Sequence, residues 1–167
     1  MNIFVLDLDP KIAAIMYCDR HLPKMVVEIY QQCGSAVIRH GATPDMMPIS
    51  KTSGRPLKGG YHRHPCTIFC GDSRENYDWA IEHGLALAKE YTKRFGKVHA
   101  CENGLHHLAS MRTIIPPGKL TDFAQAMPDC YRNEDPVKAY RDYYLNEKAY
   151  FAKWEKGTPA PYWWVAV

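Results

Sequence analysis

The first apolar run, Ile3-Phe-Val-Leu6, is partly β-branched and reads as an extended segment. Asp9-Pro10 then has the form of an N-cap followed by proline at the first helical position, which predicts a short helix to about Tyr17. Pro23 opens a second helix. Val26, Ile29, Tyr30 and Cys33 recur at i, i+3, i+4 and i+7 and make its apolar face, while Lys24, Glu28 and Gln31 form a polar stripe. Gly34 is expected to stop this helix, with a third short one over Ser35–His40. Residues 41–64 carry no period. They hold Gly, Pro, Ser and Thr among Lys51, Arg55, Lys58 and Arg63, which predicts a long basic loop.

Asp72-Ser-Arg-Glu75 reads as a capping box opening a long helix to about Phe95, with Gly96 as its C-cap. Residues 99–111 look helical and short, and residues 112–134 are proline-rich and irregular. Asp135-Pro136 repeats the Asp-Pro start. The last helix is expected to reach about Lys156, with an aromatic stripe of Val137, Tyr140, Tyr144, Phe151 and Trp154, and Gly157 closing it. The fold class is therefore mostly α. A single compact domain over residues 1–167 is expected, with about five helices and one long basic loop.

Composition sharpens this only a little. At 167 residues and 46% hydrophobic the chain suits one domain. No apolar run approaches the roughly 20 residues of a membrane span. Neither a membrane partner nor an N-terminal export signal is expected, which points to a cytoplasmic protein. Lys and Arg number 21 against 18 acids, a net charge of +3 that permits nucleic-acid binding without demanding it. The six cysteines contain no C-x-x-C pair and read as reduced thiols. His62, His64, Cys66 and Cys70 cluster, but a second tight ligand pair is missing, so neither a metal nor another cofactor is expected.

Several groups of residues could carry chemistry. Phe4-Val-Leu-Asp7-Leu-Asp9 has the strand-then-Asp-x-Asp form of a haloacid-dehalogenase-type phosphatase loop, yet Pro10 and the lack of later strands favour Asp9 as a helix cap. Asp19-x-His21-x-x-Lys24-x-x-x-Glu28 places a carboxylate near His21 and one turn from Lys24, a set able to activate water or stabilise positive charge. His64 and Arg74 are candidate phosphate contacts. Glu147-Lys148 interrupts the aromatic stripe of the last helix, as a snorkelling edge or as the wall of a base-stacking pocket.

Asp19-Arg-His21-Leu22, with Glu28 seven positions after the His, is similar to the N-terminal helix region of phage pyrimidine-dimer DNA glycosylases of the endonuclease V type. Tyr77-Asp78 through Glu90-Tyr-Thr-Lys-Arg94 resembles that family's central helix. Met127-Pro-Asp-Cys-Tyr-Arg132, the final helix and the aromatic end resemble its C-terminal part. The same strings resemble phage-borne proteins carrying M-P-D-x-Y-R and A-Y-R-x-Y-Y-x-x-E-K.

The resemblance implies a compact α domain and base excision, in which an N-terminal amine attacks the sugar C1′ and a helix Glu assists. It implies Glu28 as that carboxylate and His21 as its neighbour. Here residue 2 is Asn, a poor substrate for Met removal, and whether Met1 is retained and its amine used stays open. Val26, Val27 and Ile29 stand where the family's helix carries phosphate-holding arginines, which shifts the expectation from amine chemistry toward Glu28 itself.

The leading expectation is a DNA-glycosylase-like enzyme acting on the N-glycosidic bond of a nucleobase in DNA or a nucleotide. In it Glu28 and His21 are catalytic. Lys24, Lys51, Arg55, Lys58, His64 and Arg74 bind phosphate, and Tyr140 or Tyr144 stacks on the base. The rival is a phage accessory module that binds nucleic acid or protein without chemistry. A phosphatase using Asp7 is a third.

Overall fold

The computed structural model describes residues 1–165 of the chain. Its described residues form six α-helices and no strands: α1 (Pro10–Ile15), α2 (His21–Arg39), α3 (Pro65–Asp72), α4 (Arg74–Phe95), α5 (Glu102–Ser110) and α6 (Pro136–Lys148). Short 3-10 turns lie at Pro44–Met46, Arg112–Ile114 and Asp129–Tyr131. The fold is mostly α, as the periodicities predict, and the sheet that an Asp7 phosphatase would need is absent among the described residues.

The helix ends follow local chemistry. Asp9 accepts from the N–H groups of Lys11 and Ile12 and starts α1, and Asp135 does the same for α6 through Val137 and Lys138. Gly96 closes α4 at φ 68°. α2 opens at His21 rather than Pro23, and three further boundaries differ from expectation. α2 runs unbroken through Gly34, where a Cβ would stand 2.5 Å from Leu57 Cδ2; this glycine lets the loop pack onto the helix and does not end it. Ser73, not Asp72, caps α4, its Oγ accepting from Asn76 N–H, because Asp72 belongs to the end of α3 and pairs with Arg39. α6 stops at Lys148, and Gly157 (φ 84°) turns the chain beyond it.

α4 is the spine, packed against α1, α2, α3 and α5. Residues 3–6 are buried but form no strand, Leu6 N–H turning back to Phe4 O at 2.9 Å, and Phe4 meets Tyr17, His21, Tyr140, Tyr143 and Tyr144. The edge-on pairs among these, with Tyr17, Tyr140 and Tyr144, contribute about 0.5–1.5 kcal/mol each beyond their buried area. One end of the spine is fixed by Arg94. Its buried guanidinium reaches Glu90, Asp19 and the carbonyls of Ile15 and Tyr17, which ties the end of α4 to the α1–α2 turn.

The basic loop is more ordered than its composition suggests. Ile49 and Pro56 pair as an isolated antiparallel bridge, Gly54 (φ 64°) makes the tip, and Leu57 is buried. Ser35 Oγ donates to Gly60 O at 2.8 Å and accepts from Gly60 N–H at 2.7 Å. The loop is therefore bolted to α2.

Candidate functional site

Burial of residues 3–6 draws the start of the chain across α2. Asn2 N–H donates to Glu28 Oε2 at 2.9 Å, and Met1 N lies 3.9 Å from Glu28 Oε1. Lys24, one turn earlier on α2, puts its ammonium 3.4 Å from the same Oε1. Glu28 is only 8% exposed, so its carboxylate is held by three nitrogen groups in a partly water-excluded setting.

Asn2 is fixed from behind. Its Nδ2 donates to Ala126 O at 2.8 Å. Its Oδ1 accepts from Ile3 N–H at 2.9 Å and from the Cys66 thiol at 3.4 Å, and lies 3.0 Å from Tyr140 Oη. His64 completes the cluster. It caps α3, its Nδ1 accepting from Cys66 N–H at 3.2 Å, so the neutral ring carries its proton on Nε2. Burial, then the charge on the Met1 nitrogen, pull the His64 pKa below its ordinary value, against Glu28 and the Met1 backbone. A carboxylate flanked by an ammonium and a neutral imidazole can take a proton from water or steady a developing cation.

The structure brings Glu28, Lys24 and His64 together and sends the other candidates elsewhere. His21 stands two turns from Glu28, about 10 Å along the helix. Its ring packs against Phe4, Tyr144 and Phe151 at 4.9–5.3 Å between centroids. Burial, with Lys148, Lys24 and Arg20 around it, pushes its pKa down to about 3, so it is a neutral core residue and not a partner that orients Glu28.

Tyr140 and Tyr144 are 0% exposed, which leaves no ring face for a base. Tyr140 Oη is a hydrogen-bond hub for Asn2, Ala124 and Ala126, and Tyr144 Oη accepts from Cys18 N–H. Arg74 is spent on the carbonyls of Thr113 and Ile115 and clips the proline-rich segment to α4.

Lys51, Arg55 and Lys58 are exposed and, like Arg63, form no ion pair among the described residues. Asp7 Oδ1 accepts from Asp9 N–H, and Asp7 Oδ2 lies 3.5 Å from Arg141 Nη2, both structural contacts. Glu147 accepts from Tyr131, and Lys148 lies over the Tyr143 ring at 4.9 Å; the pair decorates the edge of α6. Among the described residues no three His, Cys, Asp or Glu side chains stand close enough to hold a metal ion, and no helix is long and apolar enough to cross a membrane.

Sequence reasoning missed Asn2. The apolar run after it was the available signal, since a buried segment must anchor its neighbours; which helix it crosses was not written locally. A groove of about 1080 Å³ between α1, α4 and α5 is walled by Ile15, Ile81, Leu85 and Val98 and lies apart from Glu28. No known protein family, no curated protein and no solved structure matches this chain.

Proposed function

We propose that the chain is a DNA-glycosylase-like enzyme that breaks the N-glycosidic bond of a nucleobase in DNA or a nucleotide, with Glu28 as its central carboxylate. The observation that carries this reading is the setting of Glu28: nearly buried, hydrogen-bonded by Asn2, and beside Lys24 and His64. The reaction asks for these features. Glu28 takes a proton from water, the water oxygen bonds to C1′, the C1′–N bond breaks, and its electron pair leaves with the base. The carboxylate also faces the oxocarbenium-like sugar as positive charge develops. Lys24, Lys51, Arg55 and Lys58 supply phosphate contacts. The resemblance to pyrimidine-dimer glycosylases supports the same assignment of Glu28.

The test compares wild type with Glu28→Gln on plain, damaged and modified DNA and on nucleotides, with products read by mass spectrometry. Free base from wild type alone is the expected result; full activity in Glu28→Gln removes the carboxylate from the chemistry. A borohydride quench adds the mechanism. A trapped adduct on Lys24 or on the Met1 nitrogen indicates amine attack, and its absence with base release indicates water.

One observation favours a second reading, a binding module without chemistry: the loop cations are unpaired whether or not Glu28 acts. DNA retained on the protein with all substrates intact selects it.

A further inference from the structure

With Tyr140 and Tyr144 sealed in the core, the glycosidase reading lacks a surface for the base. We infer that Tyr61 is a stacking residue for a nucleobase, presented beside the Glu28 cluster by the clamped turn of the basic loop; this rests on the reading that the ligand carries a base.

Three observations converge. First, Tyr61 is the one non-glycine residue with positive φ among the described residues, at 54°. Two glycines stand directly before it, and either would adopt that conformation without steric cost, yet the bulky residue holds it. Second, the side chain is 63% exposed. Tyr150 and Tyr162 are also exposed, but Tyr150 packs edge-on to Phe151, and Tyr162 lies under Arg141 and hydrogen-bonds to it. Tyr61 has no comparable neighbour among the described residues. Its packing therefore does not account for the strain.

Third, the position is rigid and close to the candidate chemistry. Gly59 (φ 68°) fits so tightly that a Cβ there would meet Ser35 Oγ at 2.3 Å, and Ser35 grips both polar backbone groups of Gly60. Gly60 lies against Gln31, one turn beyond Glu28. On the other side Tyr61 O accepts from His64 N–H at 2.9 Å, and His64 feels the charges of Glu28 and the Met1 nitrogen. A flat aromatic face flanked by Lys58, His62 and Arg63 is the combination by which proteins hold single-stranded or flipped bases: cations on the backbone, a ring on the base.

The strain supplies a test that a structural tyrosine would fail. A short single-stranded DNA carrying 2-aminopurine is titrated into wild type, Tyr61→Gly and Tyr61→Trp, with thermal unfolding of each. Wild type is expected to quench the probe. Tyr61→Gly is expected to bind about tenfold more weakly and lose the quench, while unfolding at the same or a higher temperature because glycine relieves the positive φ. Tyr61→Trp is expected to keep the affinity, with its own fluorescence quenched on binding.

Unchanged affinity in Tyr61→Gly, an unquenched probe on wild type, or a lower unfolding temperature for Tyr61→Gly would each overturn the inference. Failure of wild type to bind the probe also overturns it. That failure leaves the Glu28 reading to be judged separately, by base release from mononucleotides.

Discussion

Asn2 and Glu28 are bound to each other by a single backbone hydrogen bond, Asn2 N–H to Glu28 Oε2 at 2.9 Å. It joins the first residues of the chain to the middle of α2. Glu28→Ala strands the Asn2 N–H and is expected to cost about 1–3 kcal/mol. Glu28→Gln keeps an accepting oxygen and is expected to stay within about 1 kcal/mol of wild type. Both are expected to lose turnover. Urea unfolding beside the base-release assay separates the two effects; equal stability of the two variants would show that the bond contributes little.

The loop cations act on binding alone. Replacing Lys51, Arg55, Lys58 and Arg63 with Gln together is expected to lower the slope of log affinity against log salt by about 3 on single-stranded DNA. Glu28→Gln removes no cation and should not lower the slope. An unchanged slope in the fourfold variant would move the phosphate contacts off the loop.

Arg94 is the largest electrostatic commitment in the core. Its buried guanidinium bonds Glu90 at 2.7 Å, Asp19 at 3.0 Å and two carbonyls at 2.8 Å each, and Thr158 also hydrogen-bonds Glu90. Arg94→Met removes the charge that two buried carboxylates need and is expected to destabilise by about 3–5 kcal/mol. A loss under about 1 kcal/mol in chemical denaturation would contradict this account.

Acid should weaken the fold through two histidines. Burial pushes His83 down to about 4, against a hydrogen bond to Pro10 O, and burial with nearby Lys148, Lys24 and Arg20 takes His21 down to about 3. Both bind a proton in the unfolded chain near pH 6.5 but not in the folded one. Their stabilising contribution is complete above about pH 6.5 and is lost as pH falls toward the folded values, at up to about 1.4 kcal/mol per unit for each group. Stability measured from pH 7 to 4 should fall, and His21→Phe should flatten the slope. A slope identical in the variant would assign the acid sensitivity elsewhere.

The start of α4 distinguishes two readings of one motif. Ser73→Ala is expected to cost about 1 kcal/mol, because its Oγ accepts from Asn76 N–H. Asp72→Ala should cost less than about 1 kcal/mol, because its partner Arg39 is a half-exposed surface charge. Thermal unfolding of the two variants decides; the reverse order would restore Asp72 as the cap.

What the sequence determined by itself is local. Asp9-Pro10 and Asp135-Pro136 start helices because their side chains accept from backbone N–H groups two and three residues on, and Gly96 ends one because the left-handed turn needs no long-range partner. The pairing of Lys24 with Glu28 was legible for the same reason, one helical turn apart. His64-Pro65 was an equally local start signal for α3 that the basic composition of the loop obscured.

Tertiary structure decided the rest. Gly34 could end a helix or admit a neighbour, and only Leu57 arriving from 23 residues away settles which. Tyr140 and Tyr144 have the spacing of an aromatic face, but burial against Phe4 turns them inward. Glu28 acquires Asn2 from 26 residues away. Periodicity fixes which residues share a face. What that face meets depends on where distant segments pack, and that is set by burying the whole apolar surface at once.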